Sequence, residues 1–120
     1  MYVCNRCVKM QTIDSMSIFE FVQVGYNQRD IDEISEDIIE NGWLDDEDYP
    51  VVLVNDGRKF TVVDGNHRIR AMKQACEYGW EGNITAIVID KSVFDDVVDR
   101  FDGDVENNLF DIAEIIRGMN

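Results

Sequence analysis

One proline, one histidine and three cysteines among 120 residues set the first limits on this chain. With Pro50 alone, no proline-rich linker divides it, and the length suits one domain with a real core. Cys4, Cys7 and Cys76 are an odd number for a disulfide framework. No apolar run approaches the ~20 residues that span a bilayer. Residues 1–10 lack the apolar stretch of a secretory signal, so a cytoplasmic protein is expected. Cys4-x-x-Cys7 would need further ligands to hold zinc. His67 and Cys76 stand ~13 Å apart along one helix at ~1.5 Å per residue, too far to share a metal, so zinc is not expected. The run Asp45-Asp46-Glu47-Asp48 lacks the alternating ligands and internal glycine of a calcium loop and reads as solvated.

Bases are scarce as well. Eleven Lys and Arg stand against 25 Asp and Glu, for a net charge of −14. Residues 30–48 hold ten acids and no base, and residues 90–117 hold nine acids against three bases. Between them, residues 58–73 hold five bases, one acid and the single histidine. A negative chain with one basic island suits a small phosphorylated ligand and disfavours tracking along duplex DNA, which needs a broad basic surface. The acidic stretches alone read as solvated helix faces.

The island contains the most informative stretch. Phe60-Thr61-Val62-Val63-Asp64-Gly65-Asn66-His67-Arg68 reads as a strand, a one-glycine turn and the start of a helix. The first N–H groups of a helix lack intrahelical partners and attract anions. Gly65 lets the backbone turn tightly. Asn66 is a suitable N-cap, and Arg68 can grip a phosphate in bidentate fashion.

Around it, residues 2–13 read as a strand, residues 16–24 as a strand or short helix, and residues 25–29 as a turn. Residues 30–41 read as a helix, with Asp30 as cap, Glu33 in capping-box position and Ile31, Ile34 and Ile38 on one face. Gly42 ends it. A strand over 51–55, a turn at Asn55-Asp56-Gly57 and a strand over 59–63 make a hairpin. The helix from Asn66 extends to Tyr78, with Ile69, Met72, Ala75 and Cys76 toward the core. Residues 84–89 lack polar alternation, as in a strand buried on both faces. Two helices, 92–101 and 106–117, follow around Gly103. The order gives an α+β domain with a small sheet.

Four pieces in this order resemble the ParB/sulfiredoxin superfamily: Asn27-Gln28-Arg29, Ile38-Ile39-Glu40-Asn41-Gly42, Pro50-Val51-Val52-Leu53-Val54, and the strand–turn–helix through Arg68, an Asp-Gly-Asn-His-Arg variant of the superfamily's Gly-x-x-Arg box. The likeness covers residues 27–90, leaving residues 91–120 as an acidic helical extension. It implies a mixed sheet with flanking helices, and a nucleotide (ATP, ADP or CTP) with Mg2+. Carried over by residue, Gly65, Asn66, His67 and Arg68 would contact phosphates, with Arg29, Glu40, Asn41 and Gly42 around the nucleotide. Asp64 would hold the metal or orient a nucleophile, and His67 would donate or shuttle a proton. Glu20 is the one acid near the place of the kinase branch's catalytic glutamate. Asn66 stands where sulfiredoxins carry their reactive cysteine, so sulfinic-acid reduction is not implied. The resemblance therefore implies a nucleotide-binding domain, with NTP hydrolysis or phosphoryl transfer as its finer form. The alternative is a non-catalytic acidic protein, of the kind met in phage genomes, that binds a basic or DNA-binding partner. A ParB-like nuclease ranks third.

Overall fold

The computed structural model describes residues 8–22, 25–46, 48–105 and 107–120. Five strands and four helices follow in the order β1 (Val8–Asp14), β2 (Phe19–Phe21), α1 (Gln28–Asn41), β3 (Val52–Asn55), β4 (Phe60–Asp64), α2 (Asn66–Glu77), β5 (Asn83–Asp90), α3 (Lys91–Arg100) and α4 (Leu109–Met119). The strands form one mixed sheet in the order β1-β5-β3-β4-β2. β1 runs antiparallel to β5, and β3 antiparallel to β4, while β3–β5 and β2–β4 are parallel.

The central strands explain the layering. Side chains alternate across a sheet, and residues 52–54 of β3 and 86–89 of β5 are unbroken apolar runs, so both faces must be covered. Val51, Leu53, Val62, Ile84, Ala86 and Val88 pack with Ile31 and Ile38 of α1 and Ile69, Met72 and Ala75 of α2. On the other face, Val52, Val54, Val63, Ile87 and Ile89 pack with Val97 of α3 and Ile112, Ala113 and Ile116 of α4. The domain is α+β, with a five-stranded sheet between two helix pairs.

The β3–β4 turn forms where expected. Asn55 Oδ1 accepts from Gly57 N–H at 2.8 Å, and Asp56 Oδ1 accepts from the N–H groups of Arg58 and Lys59 at 2.9 and 3.0 Å. Residues 19–21 are a strand, which resolves that alternative, and β5 is buried on both faces.

Two caps differ from expectation. α1 begins at Gln28, and its cap is Asn27, whose Oδ1 accepts from the N–H groups of Arg29 and Asp30. Asp30 lies inside the first turn, where its charge still favours the positive end of the helix dipole. α2 is capped by Gly65, not Asn66, which is its first helical residue. Gly65 has φ 98°, and a Cβ there would stand 2.6 Å from Val51 Cγ2. The close approach that demands glycine is therefore to the β3 end of the sheet. Residues 2–7, with Cys4 and Cys7, and Glu106 lie outside the described residues. Cys76 is partly buried with its Sγ 3.8 Å from Met72 Sδ. No helix among the described residues is long and apolar enough to cross a membrane.

Candidate functional site

β4 ends at Asp64, Gly65 reverses the chain, and α2 starts at once. Unlike α1, α2 has no side-chain cap hydrogen bond. Among the described residues, the N–H groups of its first turn therefore have neither an intrahelical partner nor a capping side chain. Asn66 turns its oxygen to Arg70 Nε at 2.8 Å, and its Nδ2 is buried without a hydrogen-bond partner among the described residues.

Successive helical residues point about 100° apart at ~3.6 residues per turn, so His67 and Arg68 diverge. His67 Nε2 accepts from the backbone N–H of Asn27 at 3.1 Å. The imidazole thus ties the start of α1 to the start of α2. Arg68 goes the other way. Its Nη2 donates to the carbonyl of Tyr49, and its guanidinium lies 5.9 Å from the Trp43 ring centre. Burial holds the Arg68 guanidinium below its ordinary pKa, while Asp46 and Asp64 pull it back up. Arg117 is near enough to repel it.

Arg117 is the residue that sequence reasoning missed. It reaches from α4 to donate to Asp64 Oδ2 and, through Nε and Nη2, to the Pro50 carbonyl at 3.1 and 2.8 Å. Nη1 pairs with Glu114 at 2.8 Å. Its side chain is 9% exposed and that of Asp64 31%. Two guanidinium groups from different helices therefore converge beside the uncapped start of α2, balanced by Asp64 and by acids of the loop after α1.

The other expected site residues are placed differently. Arg29 is exposed and pairs with Glu33 at 3.6 Å. Asn41 donates to Asp37 at 2.7 Å, Glu40 is exposed, and Gly42 ends α1 with φ 79°. The contact with Arg68 comes from Trp43, one residue beyond Gly42. Glu20 pairs with Lys59 and lines a cavity with Val54 and Phe94, across the sheet from α2. The basic island also disperses. Arg70 sits 4.2 Å from the ring centres of both Phe21 and Tyr26, and Lys73 donates to the carbonyls of Ser15 and Ser17 at 3.1 and 2.9 Å. Among the described residues, no three His, Cys, Asp or Glu side chains converge as a metal-ligand set.

No protein-family profile matches the chain, and no curated protein matches it in sequence. Among solved structures it is similar to the C-terminally truncated chromosome-partitioning protein ParB from Caulobacter crescentus complexed with CTP-gamma-S, at TM-score 0.51 and 16% identity. The match covers 93% of this chain and 54% of that one, so the chain spans about half the length of the structure it resembles. At that identity the likeness concerns architecture: the chain has a ParB-like fold.

Proposed function

We propose that this chain binds a nucleotide through its phosphates at the Asp64–Arg68 turn. The observation that carries the reading is that Arg68 and Arg117 hold the adjacent carbonyls of Tyr49 and Pro50, with Arg117 also on Asp64 at the entry to the uncapped α2. A phosphate between the two guanidinium groups would share the compensation that Asp64 gives Arg117, and a helix N-terminus supplies aligned N–H donors. The similar ParB structure holds a CTP analogue, which supports a nucleotide as the anion. Gly65, Asn66 and His67 would contribute backbone N–H groups.

Asp64 is the single carboxylate in the turn itself and is engaged by Arg117. Asp64 is the residue that would hold a magnesium ion beside the phosphates. The ion would neutralise phosphate charge when bound. Phosphoryl transfer is the finer reading: Arg117 would pass from Asp64 to phosphate, freeing the carboxylate to orient an acceptor. His67 already accepts a hydrogen bond through Nε2, so its part is to position α1 and offer Nδ1.

Calorimetric titration with ATP, ADP and CTP plus magnesium tests the reading, with Arg68→Ala and Arg117→Ala as controls checked for folding by circular dichroism. Micromolar binding that folded variants lose is expected. Unchanged affinity in both variants would sink the assignment.

A further inference from the structure

The outer face of the α1–α2 pair carries a feature that the nucleotide reading does not use. Asp32, Ser35, Glu36 and Ile39 fall on one stripe of α1, and Gln74 and Tyr78 on one stripe of α2. Together they wall a groove of about 400 Å³. Ser35 lies in its floor, only 1% exposed, and its Oγ has no hydrogen-bond partner among the described residues. A buried hydroxyl left unpaired costs free energy, and a mid-helix serine ordinarily bonds back to the preceding turn. This one does neither, and it lines the groove.

The walls are complementary to one kind of group. Asp32 accepts from Gln28 at 2.8 Å and from Gln74 at 2.9 Å, and these bonds hold its carboxyl below the usual range. Its oxygen is therefore charged and fixed in place. Glu36 is exposed one turn further on. At the groove's other end, Ile39 is 45% and Tyr78 75% exposed, an apolar strip beside the acids. The α1 sequence carries six acids and one base, so the field over the groove is negative.

We propose that this groove docks a lysine side chain from a basic segment of a partner protein. The methylene stem lies along Ile39 and Tyr78, which offer apolar contact and an aromatic face for a cation. The ammonium sits among Asp32, Glu36 and Ser35 Oγ. Three separate acceptors at positions 32, 35 and 36 suit the three donors of an ammonium better than the planar fork of a guanidinium. The surrounding acids of α1 attract the rest of the basic segment.

The test is amide-resolved NMR of the whole chain titrated at low salt with a short leucine–lysine amphipathic peptide, beside leucine–arginine and leucine–glutamate counterparts and spermidine. Shifts should centre on Ser35, Ile39, Gln74 and Tyr78, with the lysine peptide binding tightest. Glu36→Lys should weaken it about tenfold, and Asp99→Lys, an equal charge change on exposed α3, by no more than about twofold. Ser35→Ala should weaken the peptide several-fold without lowering the melting temperature. Equal losses from the two charge reversals, shifts spread over every acidic face, or no binding would overturn the proposal. So would spermidine binding as tightly as the peptide, or self-association of the chain abolished by Glu36→Lys. None of these residues belongs to the nucleotide turn, so the two readings fail separately.

Discussion

Arg117 of α4 and Asp64 at the end of β4 form an ion pair 53 residues apart in sequence, and the same guanidinium holds the Pro50 carbonyl. The link fastens the second helix pair to the β4–α2 turn. Because Arg117 is nearly enclosed, losing it leaves a carboxylate and a carbonyl short of partners. Arg117→Met should lower unfolding free energy by about 2 kcal/mol, allowing for the partial exposure of Asp64. Chemical denaturation of Arg117→Met, Asp64→Asn and the double variant measures the coupling. Strict additivity would mean that the two side chains do not act as a pair.

Gly65→Ala should be costly. The residue must keep φ 98°, and its Cβ would overlap Val51 Cγ2. About 2–3 kcal/mol of lost stability is expected from strain and overpacking together. Adding Val51→Ala should recover only the steric share, because the backbone strain remains. Full recovery in thermal melts would show that conformation contributes nothing.

The cap of α1 can be assigned by two substitutions. Asn27→Ala should cost about 1 kcal/mol, the usual value of an N-cap side chain. Asp30→Ala should cost only the few tenths that a first-turn charge contributes. The reverse order in urea melts would return the capping role to Asp30.

Asp32 gives a prediction in pH. Hydrogen bonds from Gln74 and then Gln28 depress its folded-state pKa. A depressed carboxylate adds stability above its unfolded pKa and loses it as pH falls through the folded value. Gln74→Ala should therefore move the Asp32 titration upward, toward the ordinary carboxylate range, when followed by carbon-detected NMR. A titration that does not move would assign the shift to other causes. Asp56 serves as the internal reference, since its own depression comes from the N–H groups of Arg58 and Lys59.

The fold was more legible than the site. Val51-Val52-Leu53-Val54 announces a strand, Ile84 to Ile89 a strand covered on both faces, and Ile31, Ile34 and Ile38 an amphipathic helix; these patterns are local. Caps were harder. Asn27 and Asp30 are both good capping residues three positions apart, and only backbone geometry decides between them. The basic island misled because proximity in sequence is not proximity on a helix. Arg68 leaves α2 toward Tyr49, whereas Arg70 and Lys73 both turn toward β2, around Phe21 and Ser17. Arg117 carried no local signal, since its partners Pro50 and Asp64 become neighbours only once α4 packs on the sheet.

Val52 and Leu53 are consecutive, yet Val52 belongs to the core under α3 and α4 and Leu53 to the core under α1 and α2. Among the described residues the two cores share no buried side chain, and the sheet lies between them. Loosening of one helix pair is therefore expected to leave the opposite core filled and the strands still paired. Amide exchange at these neighbouring positions would track the shared ladder, whereas their methyl groups would report two separate layers. A fluctuation that lifts α4 would release Arg117 from Asp64 while leaving α2, and the donors at its start, anchored to the other core.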